Sequence, residues 1–488
     1  MARLNLSARG LNKTYNISGH AAYAMDDKTK LATMALTTLF GEDKFYGDNS
    51  AELISLAARL CQRGDGLYVA KLAVWARTQG NLRTVSHVLA AVVAHECSGE
   101  GFVRPMVRTI ATQRGDDGTE MLAAHAALYG TKVRWPHALQ RGVRDALEQM
   151  DAYQIAKYQS AHREFKMRDT LRICHPVARS VEAAEAMDAC VARTLAVPKG
   201  WESELSQRGN TAEVWNELVS EGRLGYMAML RNLRNVIASG ADVAPVLGML
   251  GNPSAVRRSR QLPFRFYSAW RELKAAGLLT TRVTRALDQA LALSCDNVEP
   301  LHGRTAVLVD TSGSMGFCLS GRSKVSCRDT AAVLAALLAH ISDDAWVCRF
   351  DTTASPLAFT GTSVLADIES VPASGGGTNM AAGFDCLMES GFDADRVVVL
   401  SDNEVNGHSW MTKDFGYKTI QSKLDEYRAK VGHDVWCHAI DLQGYGTQQF
   451  MGAMVNVMGG WSEQVLRFVA LAEQGLGGLV DEVESLAL

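Results

Sequence analysis

The run Ala306-Val307-Leu308-Val309-Asp310-Thr311-Ser312-Gly313-Ser314-Met315 decides how the second half of this chain is read. A short apolar stretch gives way at once to turn chemistry, which predicts a buried parallel strand delivering Asp310 to the carboxyl edge of a sheet. Asp310, Ser312 and Ser314 then offer one carboxylate and two hydroxyls from a single loop. Hard oxygen donors of this kind suit a hard divalent cation such as Mg²⁺ rather than a soft metal. Alone the pattern is weak, because Asp, Ser and Gly are ordinary loop residues.

Two further segments give it weight. Gly375-Gly376-Gly377-Thr378-Asn379 is a glycine-rich loop carrying a threonine, and Arg396-Val397-Val398-Val399-Leu400-Ser401-Asp402 is a second buried strand ending in Asp. Additional strands are expected at about 345 to 350 and 434 to 440, with helices at about 327 to 341 and 416 to 431; this alternation predicts a doubly wound, mostly parallel α/β sheet. The three loops together resemble the von Willebrand factor A fold and its metal-ion-dependent adhesion site. That resemblance implies Mg²⁺ held, directly or through water, by Asp310, Ser312, Ser314, Thr378 and Asp402. It also implies one coordination position left open for water or for a carboxylate of an acidic protein ligand.

At 488 residues the chain exceeds one ordinary core, so a multidomain protein is expected. No apolar run approaches the roughly 20 residues needed to cross a bilayer. Arg3 and Arg9 have no apolar segment behind them, so no secretory leader is expected. Ten cysteines lack both a CxxC pair and zinc spacing, and read as reduced thiols of a cytoplasmic protein. The net charge of −3 conceals an asymmetry: from Gly303 onward 12 Lys and Arg face 23 Asp and Glu, whereas the residues before it carry 38 against 30. A basic first half is what a polyanionic partner requires, although mild positive charge is commonly just a solvated surface.

That basic half reads as helical. Leu53, Leu56, Ala57, Leu60 and Cys61 recur at helical spacing behind the capping candidates Asn49 and Glu52; similar patterns run from Leu67 to Ala76, Val85 to Ala94 and Val214 to Ile237. Strand-like alternation is scarce, short loops favour stacked helix pairs, and the pattern breaks near Asn297 to Arg304. Basic residues are densest between Lys157 and Arg179, where Met167, Leu171 and Cys174 form one helical stripe and Arg168, Arg172 and His175 the next. Pro176 is expected to end that helix at His175. Guanidinium forks beside an imidazole suit phosphates and exposed bases; a solvated helix face is the competing explanation.

The stretch from Lys157-Tyr158 through Arg168-Asp169-Thr170-Leu171-Arg172-Ile173-Cys174-His175 is similar to the TROVE domain of the Ro 60 kDa autoantigen family. Lys199-Gly200-Trp201, Leu230-Arg231-Asn232-Leu233, Leu262-Pro263-Phe264, Val298-Glu299-Pro300 and Leu400-Ser401-Asp402-Asn403-Glu404 follow in the family's order. The resemblance implies a TROVE domain over 15 to 300, an all-α ring of HEAT-like helical repeats, followed over 303 to 488 by the von Willebrand A domain. It further implies binding of single-stranded 3′ ends of misfolded non-coding RNA and of a Y-like small RNA. RNA quality control, maturation or decay, an exoribonuclease partner such as polynucleotide phosphorylase, and a monomeric state are implied with it. Lys157, Arg172 and His175 are then the leading RNA contacts, with Arg163, Lys166, Arg168, Arg231, Arg234, Arg257 and Arg258 as further candidates.

Nucleotide-binding loops, the nucleophile elbow and the zinc-protease helix are all missing, so no enzymatic activity is expected. A helical protein-binding scaffold with a metal-dependent interaction site and no RNA role is the alternative.

Overall fold

The structure is a computed structural model, and it describes residues 13–16, 21–37, 50–159, 165–318, 325–406, 419–460, 465–474 and 479–488. The chain divides into two compact units, one comprising residues 1–37, 42–48 and 204–479, the other 38–41, 49–203 and 480–488.

In chain order the first unit contains strands β1 (Lys13–Tyr15), β2 (Ala21–Ala24), β3 (Leu301–Asp310), β4 (Ser342–Phe350), β5 (Ala354–Leu357), β6 (Arg396–Ser401), β7 (Trp436–Asp441), β8 (Thr447–Gln448) and β9 (Val455–Gly459). Six of them form one sheet in the order β5-β4-β3-β6-β7-β9. Every neighbouring pair in it is parallel except β4 with β5. Residues 305–310 and 396–401 are buried without alternation, as a sheet covered on both faces requires. On one face Leu308, Phe350, Val397 and Val399 pack with Phe384, Leu424 and Tyr427. The helix Cys327–Ile341, expected over the same residues, packs against β3 and β4. A capping box fixes its start: the Asp329 N–H donates to the Ser326 hydroxyl at 3.1 Å, and the Ser326 N–H to the Asp329 carboxylate at 3.0 Å.

Two features of this unit depart from the sequence reading. The pattern from Val214 to Ile237 is two helices, Ala212–Ser220 and Tyr226–Ala238, because Gly222 takes φ +67° between them. Lys13–Tyr15 and Ala21–Ala24 join Thr447–Gln448 in a small antiparallel sheet, β1-β2-β8, which their few residues did not announce.

The second unit is helical. Gly66–Thr78 packs on Arg83–Glu96, which packs on Asp117–Tyr129, and Val103–Ala111 packs on His137–Leu147. The last pair approaches so closely that a side chain at Gly142 would meet the Val107 side chain at 2.6 Å. Asp117, fully buried, accepts hydrogen bonds from Arg77 at 2.8 Å and Arg83 at 3.0 Å and faces His87 Nε2 at 3.1 Å, tying three helices together. The helix Ser50–Leu60 begins as expected near Glu52, while Asn49 lies outside the described residues. All ten cysteines are free. Among the described residues no helix is long and apolar enough to cross a membrane.

Candidate metal centre and nucleic-acid interface

Strands β3 and β6 are parallel neighbours, with β4 on one side and β7 on the other, so the loops after them flank the point where strand order reverses. Asp310 ends β3, and Asp402 directly follows β6. One Asp310 oxygen accepts the Ser312 N–H at 2.8 Å and the other the Ser401 hydroxyl at 2.5 Å. The Ser312 and Ser314 hydroxyls lie 3.3 Å apart. Backbone bonds bring in the glycine-rich loop: Gly313 N–H donates to Gly376 O at 3.2 Å and Gly375 N–H to Thr311 O at 2.9 Å. Asn406 then closes the third side, its Oδ1 accepting the Thr378 N–H at 2.6 Å while its N–H donates to Thr378 O at 3.2 Å.

Asp310 and Asp402 are both fully buried. Burial, and then the neighbouring Asp402 charge, pushes the Asp310 carboxyl up to about 7. Burial likewise raises Asp402, offset in part by the Ser314 hydroxyl and the Glu404 N–H. Among the described residues Asp402 Oδ2 has no hydrogen-bond partner. Two crowded carboxylates, an orphaned oxygen and two adjacent hydroxyls fit a hard divalent cation, whose charge would offset their repulsion. Among the described residues no group of three or more His, Cys, Asp or Glu is gathered, so any cation here relies on the hydroxyls.

In the helical unit, Met167, Leu171 and Cys174 are the buried stripe of the helix Met167–Cys174, as the spacing predicts. Arg172 is exposed and Arg168 half-buried, 3.5 Å from Asp169. His175 caps the helix in the left-handed conformation, φ 49°, and is exposed; it leaves the helical stripe that the spacing assigns to it. Lys166 sits at the N-cap, and Arg163 lies outside the described residues. Lys157 ends the helix Ala152–Lys157, which packs, like Met167–Cys174, against Val181–Ala192. Its ammonium lies 5.9 Å from the Tyr153 ring and 5.8 Å from the Tyr158 ring, and the Arg114 guanidinium stands 5.3 Å from the Tyr158 ring. Tyr153 is 55% exposed. The sequence reading did not single out Arg114 or Tyr153, Arg114 being remote in sequence, and it named Tyr158 only as a neighbour of Lys157 in the TROVE-like stretch.

The remaining candidates belong to the other unit. Arg231 and Arg234 are exposed on Tyr226–Ala238, with Arg234 3.4 Å from Glu272. Arg257 and Arg258 are exposed on Pro253–Ser259, and Arg257 pairs with Asp296 at 3.2 Å.

The TROVE domain family matches residues 185–284, and the Ro60 vWA domain family matches residues 304–435. Two segments of the chain therefore match, in order, a TROVE domain and a Ro60 vWA domain. Across 240 residues it is 28% identical to the RNA-binding protein RO60 of Deinococcus radiodurans, covering 45% of this chain and 43% of that protein. A 75-residue stretch is 49% identical to telomerase protein component 1 of Mus musculus, covering 15% of this chain and 3% of that protein. The chain therefore spans less than half the length of these curated relatives. The crystal structure of the Deinococcus radiodurans RO (RSR) protein superposes with a TM-score of 0.61 at 19% identity, covering 90% of this chain and 97% of that one, which establishes likeness of fold.

All five candidate metal ligands fall inside the Ro60 vWA match, and Arg231, Arg234, Arg257 and Arg258 inside the TROVE match. Lys157, Arg172 and His175 precede the matched TROVE segment, so their assignment stands on exposure and chemistry.

Proposed function

We propose that this chain is a Ro60-family protein and an RNA-binding component of a ribonucleoprotein, without catalytic activity of its own. It holds single-stranded 3′ ends of misfolded non-coding RNA and a Y-like small RNA, in RNA quality control, maturation or decay in the cytoplasm. The observation that carries the reading is the exposed basic set Lys157, Arg172 and His175, borne on or capping helices that share one packing partner, with the Tyr153 and Tyr158 rings beside Lys157. Cations beside aromatic faces bind a phosphate chain and stack its bases.

In the same proposal Asp310, Ser312, Ser314, Thr378 and Asp402 hold Mg²⁺. A bound ion supplies a fixed positive charge for a carboxylate of an acidic protein ligand, and an exoribonuclease such as polynucleotide phosphorylase is the kind of partner recruited. The Ser401 hydroxyl, donating to Asp310, and Asn406 Oδ1, accepting the Thr378 N–H, hold two of these donors in position.

Binding of a structured RNA with a single-stranded 3′ tail, compared with the same RNA lacking the tail, tests the reading. Lys157→Ala/Arg172→Ala/His175→Ala is expected to weaken tail-dependent binding at least tenfold and to flatten its salt dependence by about 0.7 for each phosphate no longer neutralised. Equal, negligible affinity for both RNAs would instead leave a protein-binding scaffold.

A further inference from the structure

A cleft of about 520 Å³ opens between the helices Tyr226–Ala238 and Pro263–Ala275. Met227, Arg231 and Arg234 line it from the first helix, at i, i+4 and i+7, and Arg265 and Glu272 from the second, seven apart, with Ala269 between them. Each set therefore lies along one face of its own helix. The small side chain of Ala269 leaves the hollow, and Met227, 37% exposed, gives it an apolar wall. Arg231 and Arg265 are exposed and, among the described residues, have no ion-pair or hydrogen-bond partner. Arg234 meets Glu272 at 3.4 Å, with side chains 54% and 43% exposed, a pair that solvent screens and an anion easily opens.

We infer that this cleft binds a nucleotide of single-stranded RNA, Arg231 and Arg265 gripping its phosphates and the Met227 wall taking a base. The inference rests on the RNA-binding reading above and adds to it a contact in the other compact unit. Its size lies in the range of small-ligand sites, about 300–1,000 Å³. Two unpaired guanidinium groups in one hollow favour a bidentate phosphate contact over a solvated surface, on which arginines pair with nearby carboxylates. Glu272 sets the polarity at the mouth: its charge opposes the RNA backbone and competes with it for Arg234.

The test is fluorescence anisotropy of a labelled oligouridylate with the full chain across a salt series. Arg231→Ala/Arg265→Ala is expected to weaken binding about tenfold and to reduce the slope of log K against log salt by about 1.4, the equivalent of two phosphates at about 0.7 each. Arg231→Lys/Arg265→Lys should keep the slope and lose part of the affinity, since lysine retains charge without the planar fork. Glu272→Gln should tighten binding. Unchanged affinity and slope in the alanine pair, with wild type still binding, would overturn the cleft and leave the RNA function standing. The cleft is equally overturned if a polyglutamate peptide binds wild type and loses affinity in the alanine pair while oligouridylate binding is unaffected. Failure of wild type to bind either oligouridylate or the 3′-tailed RNA would overturn the RNA reading itself.

Discussion

Asp402 leaves one oxygen buried without a partner beside the equally buried Asp310, and this sets the behaviour of the metal loops residue by residue. Mg²⁺ is expected to raise the thermal midpoint of the wild-type chain, by the equivalent of about 2.7 kcal/mol at a hundredfold excess over Kd. In Asp402→Ala that Mg²⁺-dependent rise should vanish. Asp310→Asn should raise the midpoint of the Mg²⁺-free protein, because it removes one of two like charges from a dry site, and abolish the response to the ion. Gly376 adds a conformational demand: it takes φ +73°, and a side chain there would stand 2.8 Å from Thr352 Oγ1. Gly376→Ala is expected to cost about 1–2 kcal/mol in denaturant unfolding and to weaken Mg²⁺ binding with it. Asn403 takes φ 59° immediately after Asp402, a conformation that Asn tolerates better than most side chains.

At the scale of elements, the helix Leu466–Glu473 is locked to the sheet from its far edge. Arg396, at the start of β6, pairs bidentately with Glu473 at 2.6 and 2.8 Å, and His438 Nε2 on β7 lies 3.0 Å from the same carboxylate. Asn456 on β9 reaches His438 Nδ1 at 3.2 Å and the Phe468 carbonyl at 3.1 Å. Removing the carboxylate leaves the Arg396 guanidinium buried without its counter-charge, so Glu473→Ala is expected to cost about 3–5 kcal/mol in chemical denaturation. Burial depresses the pKa of His438 below its ordinary 6.5 despite the Glu473 charge. Burial alone would raise Glu473, but hydrogen bonds from His438 and Arg396 hold it below its ordinary 4.5. Both groups bind protons more readily when unfolded. Their contributions are complete above 6.5 and 4.5 respectively and are lost as pH falls through the depressed folded values. Thermal midpoints measured from pH 7 downward should therefore fall, and His438→Gln should remove its own share of the fall that begins near 6.5, leaving the shares of His87 and His125, which burial lowers as well.

For the whole molecule, the division into two compact units leads to the expectation that unfolding departs from a single cooperative step. Calorimetry is expected to resolve more than one transition, with Glu473→Ala lowering only that of the unit containing the sheet. A single transition displaced as a whole by that substitution would contradict independent unfolding. The division also bears on RNA. Lys157, Arg172 and His175 lie in one unit and Arg231, Arg234 and Arg265 in the other, so each set can be disabled without disturbing the packing of its counterpart.

The sequence by itself determined the parallel sheet, the loops carrying Asp310, Thr378 and Asp402, and the buried stripe Met167-Leu171-Cys174. Apolar runs ending in oxygen-rich turns and a 3.6-residue period are local signals, and local sterics and burial suffice to set them. Tertiary structure alone decided the rest. Ser401 and Asn406 secure the metal loops through residues tens of positions away, and Thr352 faces Gly376 across a gap that no spacing encodes. The cleft joining Arg231 to Arg265 exists only because two helices pack side by side. The pairing of β2 with β8 likewise depends on residues more than four hundred positions apart meeting, which pattern along the chain does not report.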